Sequence, residues 1–386
     1  MQRTTGTYVV THVADESVRA FVPNPLPPDP MLSLHPEDNE ILEVANRNLG
    51  KLDGVISSLN IPLLTYMYVR KEAVLSSQIE GTQSSLSDLL LHESEHRPGV
   101  PLDDVQEVSS YVAAMDWGLQ RIREGFPISN RLIREIHQIL LSKGRGSTKN
   151  PGEFRRSQNW LGGTRPGNAR FVPPPWDQVE KCMGDLEKFI HDVPQRTPPL
   201  IKSALAHVQF ETIHPFLDGN GRIGRLLITL ILCSEGALSE PVLYLSLYFK
   251  QHREEYYTQL SQVRTEGDWE SWVRFYLEGI NDTAIKAIRA ANAIQSLFLK
   301  NEELLSNQRR TAGSSLKVHA HLQKRPIVSI KDVADNTGLA FQSALTTLER
   351  LCDLGIVEEI TGKQRNRIYT YSAYLDLLDE GTEPLR

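Results

Sequence analysis

The chain has 386 residues, 40% hydrophobic and 23% charged, a globular composition long enough for two or three domains. A formal net charge of -6 argues against general attraction to nucleic acid or anionic membrane, and the three widely spaced cysteines, Cys182, Cys233 and Cys352, form neither a disulfide framework nor a zinc motif. The best apolar run, Leu226 to Cys233, falls far short of the roughly 20 residues of a bilayer span, and the N-terminus has no leader pattern, so a cytoplasmic protein without membrane contact is expected.

The first stretch, to about Pro36, is broken by Pro23, Pro25, Pro27, Pro28 and Pro30 and reads as an extended arm over the surface. From Glu37 the residues Ile41, Leu42, Ala45, Leu49, Leu52 and Ile56 recur at steps of three and four, which predicts one amphipathic helix. Further helices are expected over Pro62 to Glu80, Leu86 to His92, Pro101 to Glu124, Asn130 to Leu141, Trp176 to His191 and Pro198 to Ile213. Ser76 and Glu80 stand four apart on one face of the first of these, which Gly81 terminates; by themselves they describe a helix end with a local contact. Between Gly144 and Pro175 the pattern lapses into Gly, Pro and Asn, which fits a hairpin flap or a plain connecting loop.

The next segment, His214-Pro-Phe-Leu-Asp-Gly-Asn-Gly-Arg-Ile-Gly-Arg225, gathers a base, a carboxylate, three glycines, an amide and two guanidinium groups, then enters a helix from Gly221 to about Ser234. Gly219 and Gly221 let the backbone approach a ligand, Asn220 can cap the helix, and the free N–H groups of a helix start favour an anion. Arg222 and Arg225 oppose the helix dipole there, at about 0.3–1 kcal/mol each if exposed, and a bound polyanion would reverse that cost. Asp218 is an oxygen ligand suited to Mg²⁺, which uses one or two carboxylates plus substrate phosphates. His214 is the one nearby group able to exchange a proton near neutral pH. Together these residues point to a phosphate-ester site.

Downstream, helices are expected over Gln251 to Glu266 and Asp268 to Ser306. Aromatics in Leu243-Tyr-Leu-Ser-Leu-Tyr-Phe and at Tyr256 and Tyr257 fit either a core or the walls of an adenine pocket. Asn307 to Ser315 is polar enough for a linker. Ser329 to Leu351 then gives a short helix, a turn at Gly338 and a second helix with Ala344, Leu345, Leu348 and Leu351 inward, followed by a two-stranded wing. Lys363, Arg365 and Arg367 on the wing could meet phosphates, but Glu358, Glu359, Asp376, Asp379 and Glu380 cancel any basic excess. DNA binding, protein binding and homodimer formation by this winged helix all stay open.

The segment from His214 to Arg225 resembles, position by position, the H-P-F-x-[DE]-G-N-G-R-x-x-R signature of the Fic family. Ser76-Ser-Gln-Ile-Glu80-Gly81 likewise resembles that family's inhibitory [ST]-x-x-x-E-[GN] motif. The resemblance implies a mainly α fold: a Fic-type helical bundle with a short β-hairpin flap, plus the C-terminal winged-helix domain. Residues 1–100 would carry the arm and inhibitory helix, 101–306 the catalytic core and 307–386 the winged helix.

The resemblance further implies AMP transfer from ATP, with Mg²⁺, to a Ser, Thr or Tyr hydroxyl of a target protein or of the chain itself. His214 would be the general base and Asp218 the metal ligand; Gly219, Asn220 and Gly221 would form the anion hole, and Arg222, Gly224 and Arg225 would meet the nucleotide. Tyr256 or Tyr257 would flank the adenine, and Ala169, Arg170, Phe171 and Val172 would form the flap that docks the target. Glu80, paired with Arg225, would occupy the charge meant for the γ-phosphate and keep the resting enzyme slow. Two alternatives remain: removal of AMP from a modified target, and a nucleotide-sensing DNA-binding regulator.

Overall fold

The computed structural model describes residues 3–13, 16–59, 62–93, 100–308 and 311–384. It opens with an antiparallel hairpin, β1 (Gly6–Val13) paired to β2 (Glu16–Pro23), where an extended arm was expected. The prolines begin only at Pro23, and the β-branched and aromatic run Thr7-Tyr-Val-Val-Thr11 before them favours strand. In this region Arg3 to Thr5 and the stretch from Asn24 to His35 run without regular structure.

Helices follow in nearly the predicted places: α1 (Pro36–Leu59), α2 (Pro62–Ile79), α3 (Leu86–Glu93), α4 (Leu102–Arg123), α5 (Asn130–Leu140), α6 (Val179–Ile190), α7 (Pro199–Ile213) and α8 (Asn220–Ser234). Capping sets some of these boundaries; Ser129 Oγ, for example, accepts from the Leu132 N–H at the start of α5. The helix expected over Gln251 to Glu266 is α10 (Arg253–Glu266), and a short helix that was not expected, α9 (Ser246–Gln251), precedes it across the non-helical His252. The break lets α9 bury almost every side chain while α10 keeps one face open. Then α11 (Trp269–Ser306) runs for 38 residues with a buried stripe from Trp269 to Leu305.

The C-terminal unit comprises α12 (Ala312–Lys324), β3 (Ile327–Ser329), α13 (Ile330–Thr337), α14 (Phe341–Asp353), β4 (Glu358–Glu359), β5 (Ile368–Thr370) and α15 (Ser372–Asp379). Its strands form an antiparallel sheet in the order β3-β5-β4. Gly338, at φ 70, ends α13 and turns the chain into α14. The expected linker is shorter than its polarity suggests, because Ala312 to Ser315 already belong to α12 and Ser315 is buried. On the wing, Arg367 is tied to Glu349 of α14 at 3.3 Å, so one of the three wing cations is internally paired.

At the centre, α7 and α8 pack as an antiparallel pair with almost every side chain of α7 buried. Around them α1 lies along α11, and α2 packs on α4, α8 and α9. One continuous core therefore runs from Leu26 to Leu378, and no gap in packing marks the boundary expected at residue 100.

Candidate active site

The site is the turn between α7 and α8. His214 ends α7 in the left-handed region, φ 50 and ψ 60, a conformation that side chains other than glycine seldom adopt without support. Arg155 supplies the support: its Nε donates to the His214 carbonyl at 2.9 Å, its Nη2 to the Pro174 carbonyl at 2.6 Å, and its own N–H to the Pro215 carbonyl at 2.9 Å. Asn159 Nδ2 adds a bond to the Phe216 carbonyl. His137 stacks on the Phe216 ring at 3.7 Å between centroids and bonds the Asp218 carbonyl through Nε2 at 3.0 Å. Its Nδ1 accepts from the Gly152 N–H, so Nε2 carries the proton. None of Arg155, Asn159 and His137 belongs to the motif, and no local sequence signal marks them.

Asn220 does not cap α8; Gly219 does, at φ 78. Asn220 is buried and turned back, accepting from the Phe216 N–H and donating to the Phe216 carbonyl, both at 2.9 Å. Its side chain thus closes the loop, and it is the first-turn N–H groups of α8, which have no intrahelical acceptor, that can meet an anion. Asp218 keeps its side chain 31% exposed while Oδ1 accepts from the Gly219 N–H at 2.6 Å. Among the described residues no cluster of three His, Cys, Asp or Glu side chains could hold a metal unaided. A lone accessible carboxylate suits a cation that arrives with phosphate oxygens.

The two arginines diverge. Arg222 is buried with Nη1 on Glu107 Oε2 at 3.1 Å and Nη2 at 3.5 Å from Asp218 Oδ1, so it ties α8 and the Asp218 loop to α4. Arg225 is also buried; its Nε donates to Ser76 Oγ at 2.9 Å, and its Nη2 to the Ser76 carbonyl at 2.9 Å and Glu80 Oε1 at 2.7 Å. Burial would push the Glu80 carboxyl up, but the Arg225 charge and hydrogen bond outweigh it and hold the group below its ordinary value, hence ionised. Gly221 makes room for this pair, since a Cβ there would collide with Glu80 Oε1. Gly224 has a packing role, because a Cβ would collide with the Glu211 carboxylate and crowd His207 on α7.

His214 opens onto a cleft of about 980 Å³ lined also by Glu211, Arg170 and Phe171, and by Arg253, Tyr257 and Arg264 of α10. Burial lowers its pKa to about 4, with the Arg155 charge helping and Glu80 opposing. The ring is therefore neutral at pH 7 and able to accept a proton. Burial pushes the neighbouring Glu211 carboxyl up to about 7. Of the two expected aromatics, Tyr256 is a core residue, 1% exposed with its hydroxyl on His207 Nε2 at 2.8 Å. Tyr257 is 40% exposed and faces the cleft, with Arg253 over its ring.

The flap between α5 and α6 has one antiparallel bridge, Leu161 to Phe171, and a short 3-10 turn at Pro166–Asn168, so it is a strapped loop more than a hairpin. Arg170 and Phe171 face the cleft, and Arg264 lies 4.2 Å from the Phe171 ring centre. Val172 turns away and packs with Val18 and Ala20, with Ala169 alongside; the Val172 carbonyl accepts from the Phe21 N–H at 2.9 Å. The N-terminal hairpin thus braces the flap from behind.

Residues 40–120 match the family described as Fic/DOC family N-terminal, and residues 127–232 match Fic/DOC family. The chain is 32% identical over 228 residues to the protein adenylyltransferase Fic of Aedes aegypti, covering 57% of this chain and 43% of that protein. It is 32% identical over 201 residues to the protein of the same name from Culex quinquefasciatus, covering 51% and 37%. The chain thus spans less than half the length of these relatives. In fold it is similar to a Fic family protein from Desulfovibrio desulfuricans G20, with a TM-score of 0.59 and 21% identity over 88% of this chain and 97% of that one. It is also similar to Fic-1 from C. elegans, with a TM-score of 0.52 and 23% identity over 66% and 73%.

Proposed function

We propose that this chain, which matches the Fic/DOC family over residues 40–120 and 127–232, transfers AMP from ATP to a hydroxyl of a target protein, and that Glu80 restrains the reaction. The observation that carries the reading is His214 at the mouth of a cleft, one loop from the start of the helix that bears Arg225. His214 takes the proton of the incoming hydroxyl. The hydroxyl oxygen forms its bond to the α-phosphorus as the bond to the β-phosphate oxygen breaks, and diphosphate leaves. Such transfer is mostly positioning and charge neutralisation, which the N–H groups of α8 and Arg225 supply. Asp218 would hold a Mg²⁺ brought with the nucleotide, whose charge offsets that of the phosphates. Tyr257, on the cleft, is the candidate for the adenine, and Arg170 and Phe171 are the candidates for target docking.

Arg225 cannot bind a terminal phosphate and Glu80 at once. Replacing Glu80 frees the guanidinium and should speed transfer. The test is incubation of the wild-type, Glu80→Gly and His214→Ala chains with ATP labelled at the α-phosphate and Mg²⁺, alone and with cell extract. Labelling is expected to rise in Glu80→Gly and to vanish with His214→Ala in either background; equal or weaker labelling of Glu80→Gly would sink the reading. The ionised Glu80 carboxylate beside the site also favours a second reading, orientation of a water for AMP removal. AMP-modified target supplied without ATP separates the two.

A further inference from the structure

Glu80 sits on a turn just past α2, and the opposite side of that turn is gripped by the far end of the chain. Gln78, two residues before Glu80 and 1% exposed, donates through Nε2 to the Ser84 carbonyl at 2.8 Å and to the Thr382 carbonyl at 2.6 Å. Gln78 is itself part of the turn, since its carbonyl accepts from the Gly81 N–H at 3.0 Å.

The segment that reaches Gln78 is built into a socket. Thr382, also 1% exposed, closes on Asp379 through its N–H and its hydroxyl, and Asp379 Oδ2 accepts from Ser87 Oγ at 2.7 Å. From α9, Lys250 Nζ donates to the Gly381 carbonyl at 3.0 Å and to the Glu383 carbonyl. Gly381, at φ 82, lies so close to Leu247 that a Cβ would collide with it. These are specific, buried contacts to a segment that contributes nothing to the cleft.

That segment is the direct continuation of α15, which belongs to the C-terminal unit. Asn301 of α11 donates to the Tyr371 hydroxyl at 2.6 Å, and Phe298 packs edge-on to Tyr374 at 4.9 Å. The C-terminal unit, the Asp379–Glu383 turn and the Glu80 turn are therefore joined in one line of contacts. Resting on the autoinhibition reading above, we propose that Asp379–Glu383 is a latch: while seated it holds the Glu80 turn against Arg225, and its withdrawal with the C-terminal unit starts AMP transfer. A two-state element of this kind shifts activity by as much as the latch favours the seated state.

The experiment compares AMP incorporation by the wild-type chain, a chain ending at Glu380, Lys250→Met, Glu80→Gly, and each of the first two changes combined with Glu80→Gly. Lys250→Met loosens the latch without touching α2, which covers the case in which truncation harms folding. Each latch change is expected to raise labelling by about fivefold or more and to add nothing once Glu80 is gone. Activation by Glu80→Gly but not by the latch changes overturns the latch alone, as does an effect that adds to Glu80→Gly. If Glu80→Gly itself gives no rise, the autoinhibition reading fails, and the latch is judged by amide exchange over Ile79 to Thr82. Faster exchange in the shortened chain supports it and unchanged exchange removes it.

Discussion

Arg225 has two hydrogen bonds to Ser76 of α2 and one to Glu80 just past its end, while Arg222, three positions earlier, reaches Glu107 of α4. The motif names both arginines alike. Residues three apart on a helix differ by about 60° in direction, enough for one to face the site and the other the core, and sequence spacing does not say which. Asn220, Gly224 and Tyr256 have neighbours the sequence does not announce, for the same reason: the sequence shows their chemistry but not what packs against them. The contact between Glu80 and Arg225 is legible because each belongs to one of two separated motifs that the resemblance pairs. For His214 the environment makes a testable demand. A pKa lowered to about 4 means the ring stays neutral as pH falls until the acid range, and Glu80 is the acid that resists the lowering. Ring NMR titration should find His214 half-protonated near pH 4, and at lower pH in Glu80→Gly, where the favourable charge is lost. A midpoint near 6.5, the ordinary histidine value, would contradict the burial described here.

Among the elements, the long helices were readable from apolar periodicity alone, and α1 buries Ala45, Leu49, Leu52 and Ile56 of its predicted stripe. The β1–β2 hairpin was not, because the prolines that follow it dominate a reading by composition. The clamp on the α7–α8 turn was equally invisible, since Arg155 lies about 60 residues before the turn it holds. Removing its guanidinium strands several buried carbonyls, at about 1–3 kcal/mol for each group left unsatisfied. Arg155→Met in the Glu80→Gly background should therefore cut AMP transfer by about tenfold or more, with helical content by circular dichroism unchanged. The closeness of α7 and α8 makes a second demand. Gly224→Ala places a methyl on the Glu211 carboxylate and His207 and should cost about 1–3 kcal/mol, read as a lower midpoint in thermal melts.

On the scale of the molecule, the three segments that the resemblance sets apart share a single core. Polar linkers signal where a chain can bend, but not whether the pieces on either side pack together afterwards. Here α1 covers α11 and α2 covers α9, so residues 101–306 alone would expose both apolar faces. Expressed by itself, that segment should show weak near-ultraviolet dichroism and bind a hydrophobic dye, whereas residues 36–306 should melt cooperatively.

At about 1.5 Å per residue, the 38 residues of α11 extend about 57 Å without a break, from beside the cleft to the base of the C-terminal unit. A rod of that kind transmits torque and thrust instead of absorbing them. A load applied to the far unit would reach the catalytic helices as a roll or a slide of one spindle, with no slack joint on the way to dissipate it.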